Sequence, residues 1–209
     1  MKIQVEDLLL KQNDFSFLIE KWSIPAHSHF LIEGPSGSGK TSFLHLLSGL
    51  LRPTRGNIFL DNQKISHLSS SELCKFRRTQ VGMIFQKIHL LPHLTLLENV
   101  LLGARDLNQK AEAPAILKKL GLQNRLDHLP KELSLGETQR ASVARALIAE
   151  PEIIFADEPT ASLDDENAEI VFQLLKERCK GKSLLVVTHD ARARSFFEQT
   201  IHFKDLLST

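Results

Sequence analysis

The stretch "GPSGSGKT", Gly34 to Thr41, constrains the fold of this chain more than any other. It fits the pattern G-x-x-x-x-G-K-[S/T], with the apolar run Phe30 to Ile32 before it and the helical run "KTSFLHLLSGL" after it. Glycines let the backbone turn tightly, so that successive N–H groups point at one anion. A helix that starts there adds the positive end of its dipole. Gly34, Pro35, Ser36, Gly37, Ser38, Gly39, Lys40, Thr41 and Ser42 are therefore the candidate phosphate-binding residues. The Lys40 ammonium can reach the β- and γ-phosphates of a nucleotide, and the Thr41 hydroxyl can ligate Mg²⁺. The pattern arises by chance in roughly 1% of chains of this length, so the flanking strand and helix add weight to the reading.

Three further apolar runs end in polar residues. "VGMIFQ" runs from Val81 to Phe85 and ends at Gln86, "EIIFADEP" ends at Asp157 and Glu158, and "SLLVVTHD" ends near His189. Each run is continuous rather than alternating, which suits a strand buried on both faces of a parallel sheet. Helical patterns lie between them, as βαβ units require. In such sheets ligands bind beyond the carboxyl ends of the strands. The phosphate turn, the Gln, the Asp-Glu pair and the His are thus expected at one sheet edge. Asp157 reads as a carboxylate near the metal. Glu158, one residue further, can orient or deprotonate an attacking water.

Composition narrows the classes. The 209 residues suffice for one large domain or two small lobes. A formal net charge of +1 provides no bulk attraction for nucleic acid, so no nucleic-acid partner is expected. No apolar run approaches the ~20 residues of a spanning helix, and "MKIQVEDLLLKQND" lacks the apolar block of a signal peptide. Cys74 and Cys179 sit in no metal-type spacing and read as free thiols in a reducing compartment.

"LSLGETQRASVARAL" precedes "IIFADEPTASLD", and "THD" follows. Together with the phosphate turn, this order resembles the nucleotide-binding subunit of ABC transporters over nearly the whole chain. The resemblance assigns Walker A to Gly34–Thr41, the Q-loop to Gln86, the signature to Leu133–Glu137 and Walker B to Asp157 and Glu158. It also assigns a D-loop "ASLD" ending at Asp164 and a switch at His189. "GMIFQKIHLLPHLTLLENV" and "ADEPTASLDDENAEIVFQLL" are similar to the branch that serves lipoprotein release, macrolide or peptide export and the FtsE-type division ATPase.

The resemblance implies an α/β fold: a P-loop NTPase (RecA-like) core with a mostly parallel sheet, an N-terminal antiparallel β portion and an inserted α-helical subdomain. It implies a single domain over 1–209, with the catalytic core at 1–86 and 150–209 and the helical and signature portion at 87–149. Glu158, His189 and Gln86 would be catalytic, with Thr41, Gln86 and Asp157 at Mg²⁺. Two copies would pair head-to-tail around two ATP molecules. Ser134, Gly136 and Asp164 would then meet the ATP seated on the partner copy's phosphate turn. An integral membrane permease would be a separate chain, placing this one on the cytoplasmic face of the inner or plasma membrane. The function implied is ATP hydrolysis that drives export or extraction. The alternative is an ATP-gated regulatory or cell-division ATPase on a membrane scaffold, without solute transport.

Local readings accompany the family pattern. Ser134 with Glu137, and Thr95 with Glu98, are spaced as capping boxes. Ala141, Ala144, Leu147 and Ile148 supply an apolar helix face. "AEAPAILKKLG" reads as a helix stopped by Gly121. Leu90, Leu91, Leu94 and Leu97 either line a permease groove or pack the small lobe. Leu135 stands where the family usually has glycine, which would weaken the contact if that position needs φ > 0 or close approach. With no tyrosine in the chain, Phe15 or Phe17 is the aromatic for the adenine base, unless both are core.

Overall fold

The computed structural model describes residues 1–12 and 15–208. Its strands are β1 (Ile3–Gln12), β2 (Phe15–Ile24), β3 (His29–Glu33), β4 (Arg55–Leu60), β5 (Gln63–Lys64), β6 (Val81–Ile84), β7 (Ile153–Asp157), β8 (Ser183–Thr188) and β9 (Gln199–His202). Its α-helices are α1 (Lys40–Leu47), α2 (Ser70–Gln80), α3 (Leu96–Leu101), α4 (Leu107–Lys119), α5 (Leu135–Leu147) and α6 (Asp165–Arg178).

The strands form two sheets. An antiparallel sheet runs β2-β1-β4-β5, and a parallel one runs β6-β7-β8-β3-β9. The apolar runs are the strands of the parallel sheet, and their side chains split between two cores. Leu31, Ile154, Ala156, Leu184 and Val186 pack under α3 to α6. Ile32, Ile153, Phe155, Leu185 and Val187 pack toward α1 and the antiparallel sheet. A strand needed by two cores has no polar face to spare, which is why these runs are continuous. Burial of each large side chain stabilises by about 1.5–3 kcal/mol relative to exposure, an upper estimate from area bookkeeping.

Between β6 and β7, residues 85–152 form helices and turns. Both expected capping boxes are present: the Thr95 and Ser134 hydroxyls accept from the N–H of Glu98 and Glu137, whose carboxylates accept in return. A third, Ser69 with Glu72, opens α2. The second helix of this region begins earlier than its apolar pattern suggests, because Asp106 caps it through the N–H of Gln109. It ends as expected, with Gly121 at φ 70. Leu90 and Leu97 lean on the core under α5, whereas Leu91 is exposed. The core beneath α5 and α6 continues without a break into α3 and α4.

Candidate active site

The strand order places four chemically distinct ends side by side. Gln86 follows β6, Asp157 closes β7, His189 follows β8 and Gly34 follows β3. Because β7, β8 and β3 are consecutive neighbours in parallel register, their carboxyl ends lie on one edge.

The phosphate turn occupies that edge. Gly37 and Gly39 have φ of 78 and 106, in the region that side-chain-bearing residues avoid. A Cβ on Gly39 would also lie 2.6 Å from the Phe15 ring. Lys40 rests in the turn, its ammonium donating to the carbonyls of Gly34 and Pro35 at 2.7 and 2.9 Å. Burial lowers its pKa, and Glu158 and Asp157 oppose that shift. The Ser38 hydroxyl is buried with no partner. Ser36 to Ser42 line one cleft together with Phe15, Gln86 and Glu158. Phe15 is thus the aromatic at the cleft. Phe17 is core, packed edge-on against Phe43 and Phe203.

Asp157 and Glu158 are adjacent and have different surroundings. Asp157 is buried; burial pushes its pKa up, against a hydrogen bond from Thr41 and the charge of Lys40. Its Oδ1 has no hydrogen-bond partner, an expensive arrangement for a carboxylate unless a ligand completes it. Glu158 has φ 48. Its Oε2 accepts from the Thr188 hydroxyl at 2.5 Å, and its Oε1 meets His189 Nδ1 at 2.8 Å and the His189 N–H at 3.2 Å. The His189 side chain is 58% exposed and Glu158 is buried, so the histidine is the outward-facing member of the pair.

Ser134 and Asp164 lie elsewhere. Ser134, Leu135, Gly136 and Arg140 line a separate surface cleft with Ser162, Leu163, Asp164 and Asn167. This cleft shares no residue with the phosphate-turn cleft. Ser134 is solvent-exposed. Leu135 opens α5 in helical backbone, so its position makes no demand for φ > 0. Gly136 does meet a close approach: a Cβ there would lie 3.3 Å from both Leu163 Cδ2 and the Ser162 carbonyl oxygen. Asp164 caps α6, and the N–H of Asn167 holds its carboxylate below the usual range.

Two polar contributors were not anticipated from sequence. Thr188 lies in the "THD" stretch beside His189, which carried no separate role for its hydroxyl. Gln139 did leave a trace: it falls on the helical stripe it shares with Val143 and Ala146, and a polar residue on such a stripe calls for a buried partner. Its amide donates to the Pro159 carbonyl at 3.2 Å.

Comparison with known proteins agrees with this geometry. The family model described as "ABC transporter" matches residues 20–161. The chain is 43% identical over 189 residues to the lipoprotein-releasing system ATP-binding protein LolD of Syntrophotalea carbinolica, covering 87% of this chain and 83% of that protein. It is 41% identical over 181 residues to the LolD of Shewanella denitrificans, covering 83% and 78%. Among solved structures it resembles the dimeric bacterial ABC transporter cassette MJ0796 (TM-score 0.86, 35% identity, 96% of this chain and 93% of that one). It also resembles the post-hydrolysis dimer of MJ0796 bound to ADP and Pi (TM-score 0.85, at the same identity and coverage). With the strand-edge site and the sequence motifs in agreement, the chain belongs to the ABC transporter family, as its ATP-binding and ATP-hydrolysing subunit.

Proposed function

We propose that this subunit hydrolyses ATP in clefts shared by two head-to-tail copies, and that the cycle drives a membrane permease in extraction or export. The observation that carries the reading is the split of the site. The phosphate turn with Glu158 and the signature with Asp164 are separate surface clefts of one chain, an arrangement that a second, facing copy would complete. A second copy facing the opposite way brings Ser134 and the Gly136 N–H to the nucleotide held by Lys40. The N-terminus of α5 favours that anion.

Within each cleft the residues take distinct roles. Lys40 leaves the Gly34 and Pro35 carbonyls for the phosphates. Phe15 is the aromatic platform for the base. Glu158 orients and deprotonates the attacking water, and His189 holds the carboxylate and meets the γ-phosphate. Among the described residues no three His, Cys, Asp or Glu gather as a ready-made metal cage. The donors present are Thr41, Gln86 and the unpartnered Asp157 Oδ1. Such a set suits Mg²⁺, which binds through one or two carboxylates plus substrate phosphates. When bound, Mg²⁺ neutralises charge that builds on the phosphates.

The helical and signature portion, 87–149, is the part that meets the permease, with the exposed Leu91 beside the Gln86 loop. No helix of the described residues is long and apolar enough to cross a membrane, so the membrane attachment we propose, on the cytoplasmic face, is through that partner. The two relatives named for lipoprotein release support lipoproteins as the cargo class.

The deciding experiment uses Glu158→Gln. This variant is expected to bind ATP, lose nearly all turnover and elute as a dimer in ATP by size-exclusion chromatography. ATP-loaded E158Q that stays monomeric, or a wild type fully active at dilutions where no pairing occurs, would overturn the shared-cleft reading.

A further inference from the structure

Gln139 is 1% exposed, and none of the roles above uses it. Its amide nitrogen reaches the carbonyl oxygens of Pro159 and Glu158 at 3.2 and 3.5 Å. Both carbonyls belong to the turn that leaves β7, where Glu158 holds φ 48. A glutamate persists in that left-handed region only when its surroundings hold it there. The Glu158 N–H is fixed by the Val187 carbonyl at 2.9 Å, and its carboxylate by Thr188 and His189. On the carbonyl side the Glu158 oxygen accepts from the Ala161 N–H at 3.3 Å and from the Gln139 amide at 3.5 Å, while the Pro159 oxygen accepts from Gln139 at 3.2 Å, so Gln139 is the side chain that ties this turn to α5.

Gln139 also belongs to the helix that opens at the signature. It lies five residues from Ser134, about 7.5 Å along the axis at 1.5 Å per residue. Beyond Pro159 the same turn runs into Ser162 to Asp164, which share the signature cleft with Ser134. One buried amide therefore joins the helix that faces the partner's nucleotide to the backbone of the carboxylate that serves the chain's own.

We propose that Gln139 is a positioning residue for Glu158. Through it, engagement of the signature end of α5 by the partner copy's nucleotide sets the geometry of the catalytic carboxylate in the same chain. The two ATP sites of the dimer are thereby coupled. This rests on the shared-cleft reading above. The helix is the rigid element, and the strained Glu158 backbone is the element it biases.

The test is Gln139→Met, which keeps length and bulk and removes the donor. We expect kcat to fall roughly five- to thirty-fold, the rate equivalent of losing about 1–2 kcal/mol of hydrogen bonding. The KM for ATP should stay unchanged, and the Hill coefficient for ATP should fall from above one toward one. ATP-dependent pairing should persist in the Q139M/E158Q double variant. Wild-type kcat and Hill coefficient in Q139M would overturn the proposal. So would a loss of ATP affinity as large as the loss of rate, which is the signature of a packing role alone. Should Met at this position prevent folding, Gln139→Asn, one methylene too short to span the contact, is read by the same measures. The outcomes are separable. A Q139M/E158Q protein that pairs on ATP, alongside a Q139M protein of unchanged rate, removes the role of Gln139 and leaves the shared cleft standing. A wild type that never pairs removes the shared cleft itself.

Discussion

The Thr188 hydroxyl donates to Oε2 of Glu158 at 2.5 Å and accepts the Asp190 N–H at 2.9 Å. The Asp190 N–H occupies one lone pair of that hydroxyl and leaves its single proton for the carboxylate. The end of β8 thus orients a group at the end of β7. Thr188→Val preserves shape and removes this donor. We expect kcat to drop roughly five- to thirty-fold, for about 1–2 kcal/mol of lost orientation, with ATP affinity little changed. Steady-state ATPase assays alongside equilibrium nucleotide titration check it.

Burial disfavours the ionised form of Asp157 in the folded chain. Burial raises its pKa, so the folded state binds its proton more tightly than the unfolded one. For a raised pKa the linkage sign is set: the favourable contribution is present below the unfolded pKa and is lost as pH rises through the folded one. At neutral pH the ionised side chain is therefore a liability. Asp157→Asn is expected to raise the nucleotide-free Tm, by about 2–4 °C for each kcal/mol recovered in a chain of this size, while abolishing Mg²⁺-dependent turnover. A Tm scan in EDTA and an ATPase assay with a Mg²⁺ titration check the two halves.

Leu135 is 63% exposed at the mouth of the signature cleft. Since its backbone is helical, Leu135→Gly relieves no strain and instead costs about 0.5–1 kcal/mol of helix stability. On the proposed shared-cleft arrangement, removing the side chain would allow closer approach of the partner copy's nucleotide. We expect a slightly lower Tm together with a several-fold higher ATPase rate and tighter pairing of the L135G/E158Q variant on ATP. Sedimentation in ATP and a rate comparison at matched protein concentration check it.

The capping box at the signature has its own pH dependence. The Ser134 N–H and Arg125 hold Glu137 below the usual carboxylate range. A lowered folded pKa gives stability that is present above the unfolded value, ~4.3, and lost as pH falls through the folded one. Glu137→Ala should cost about 0.5–2 kcal/mol near neutrality, as a lost cap does. The gap between wild type and E137A should narrow below the unfolded pKa. Denaturant melts of both proteins from pH 7 to pH 3 check this.

How much was legible in the sequence differs from residue to residue, for a physical reason. The phosphate turn was legible because Gly37 and Gly39 take backbone angles that few other residues tolerate, and a helix must follow them. The parallel strands were legible because burial on both faces leaves an unbroken apolar run. The caps at Thr95 and Ser134 were legible because each needs only a neighbour three residues away. Phe15 and Phe17, alike in type and two residues apart, could not be told apart. One lies against the Gly39 turn, while the other enters an aromatic cluster with Phe203 from the far end of the chain.

By itself the sequence determined the α/β class, the strand ends that carry chemistry and the family pattern, since each is written in local spacing and periodicity. The tertiary structure decided the rest. It set the buried isolation of Asp157, the clamp of Thr188 and His189 on Glu158, the reach of Gln139 to the turn after β7, and the separation of Ser134 from Lys40 into different clefts. Those depend on which strands become neighbours and on which groups lose water when they do, and such contacts between distant residues have no period along the chain.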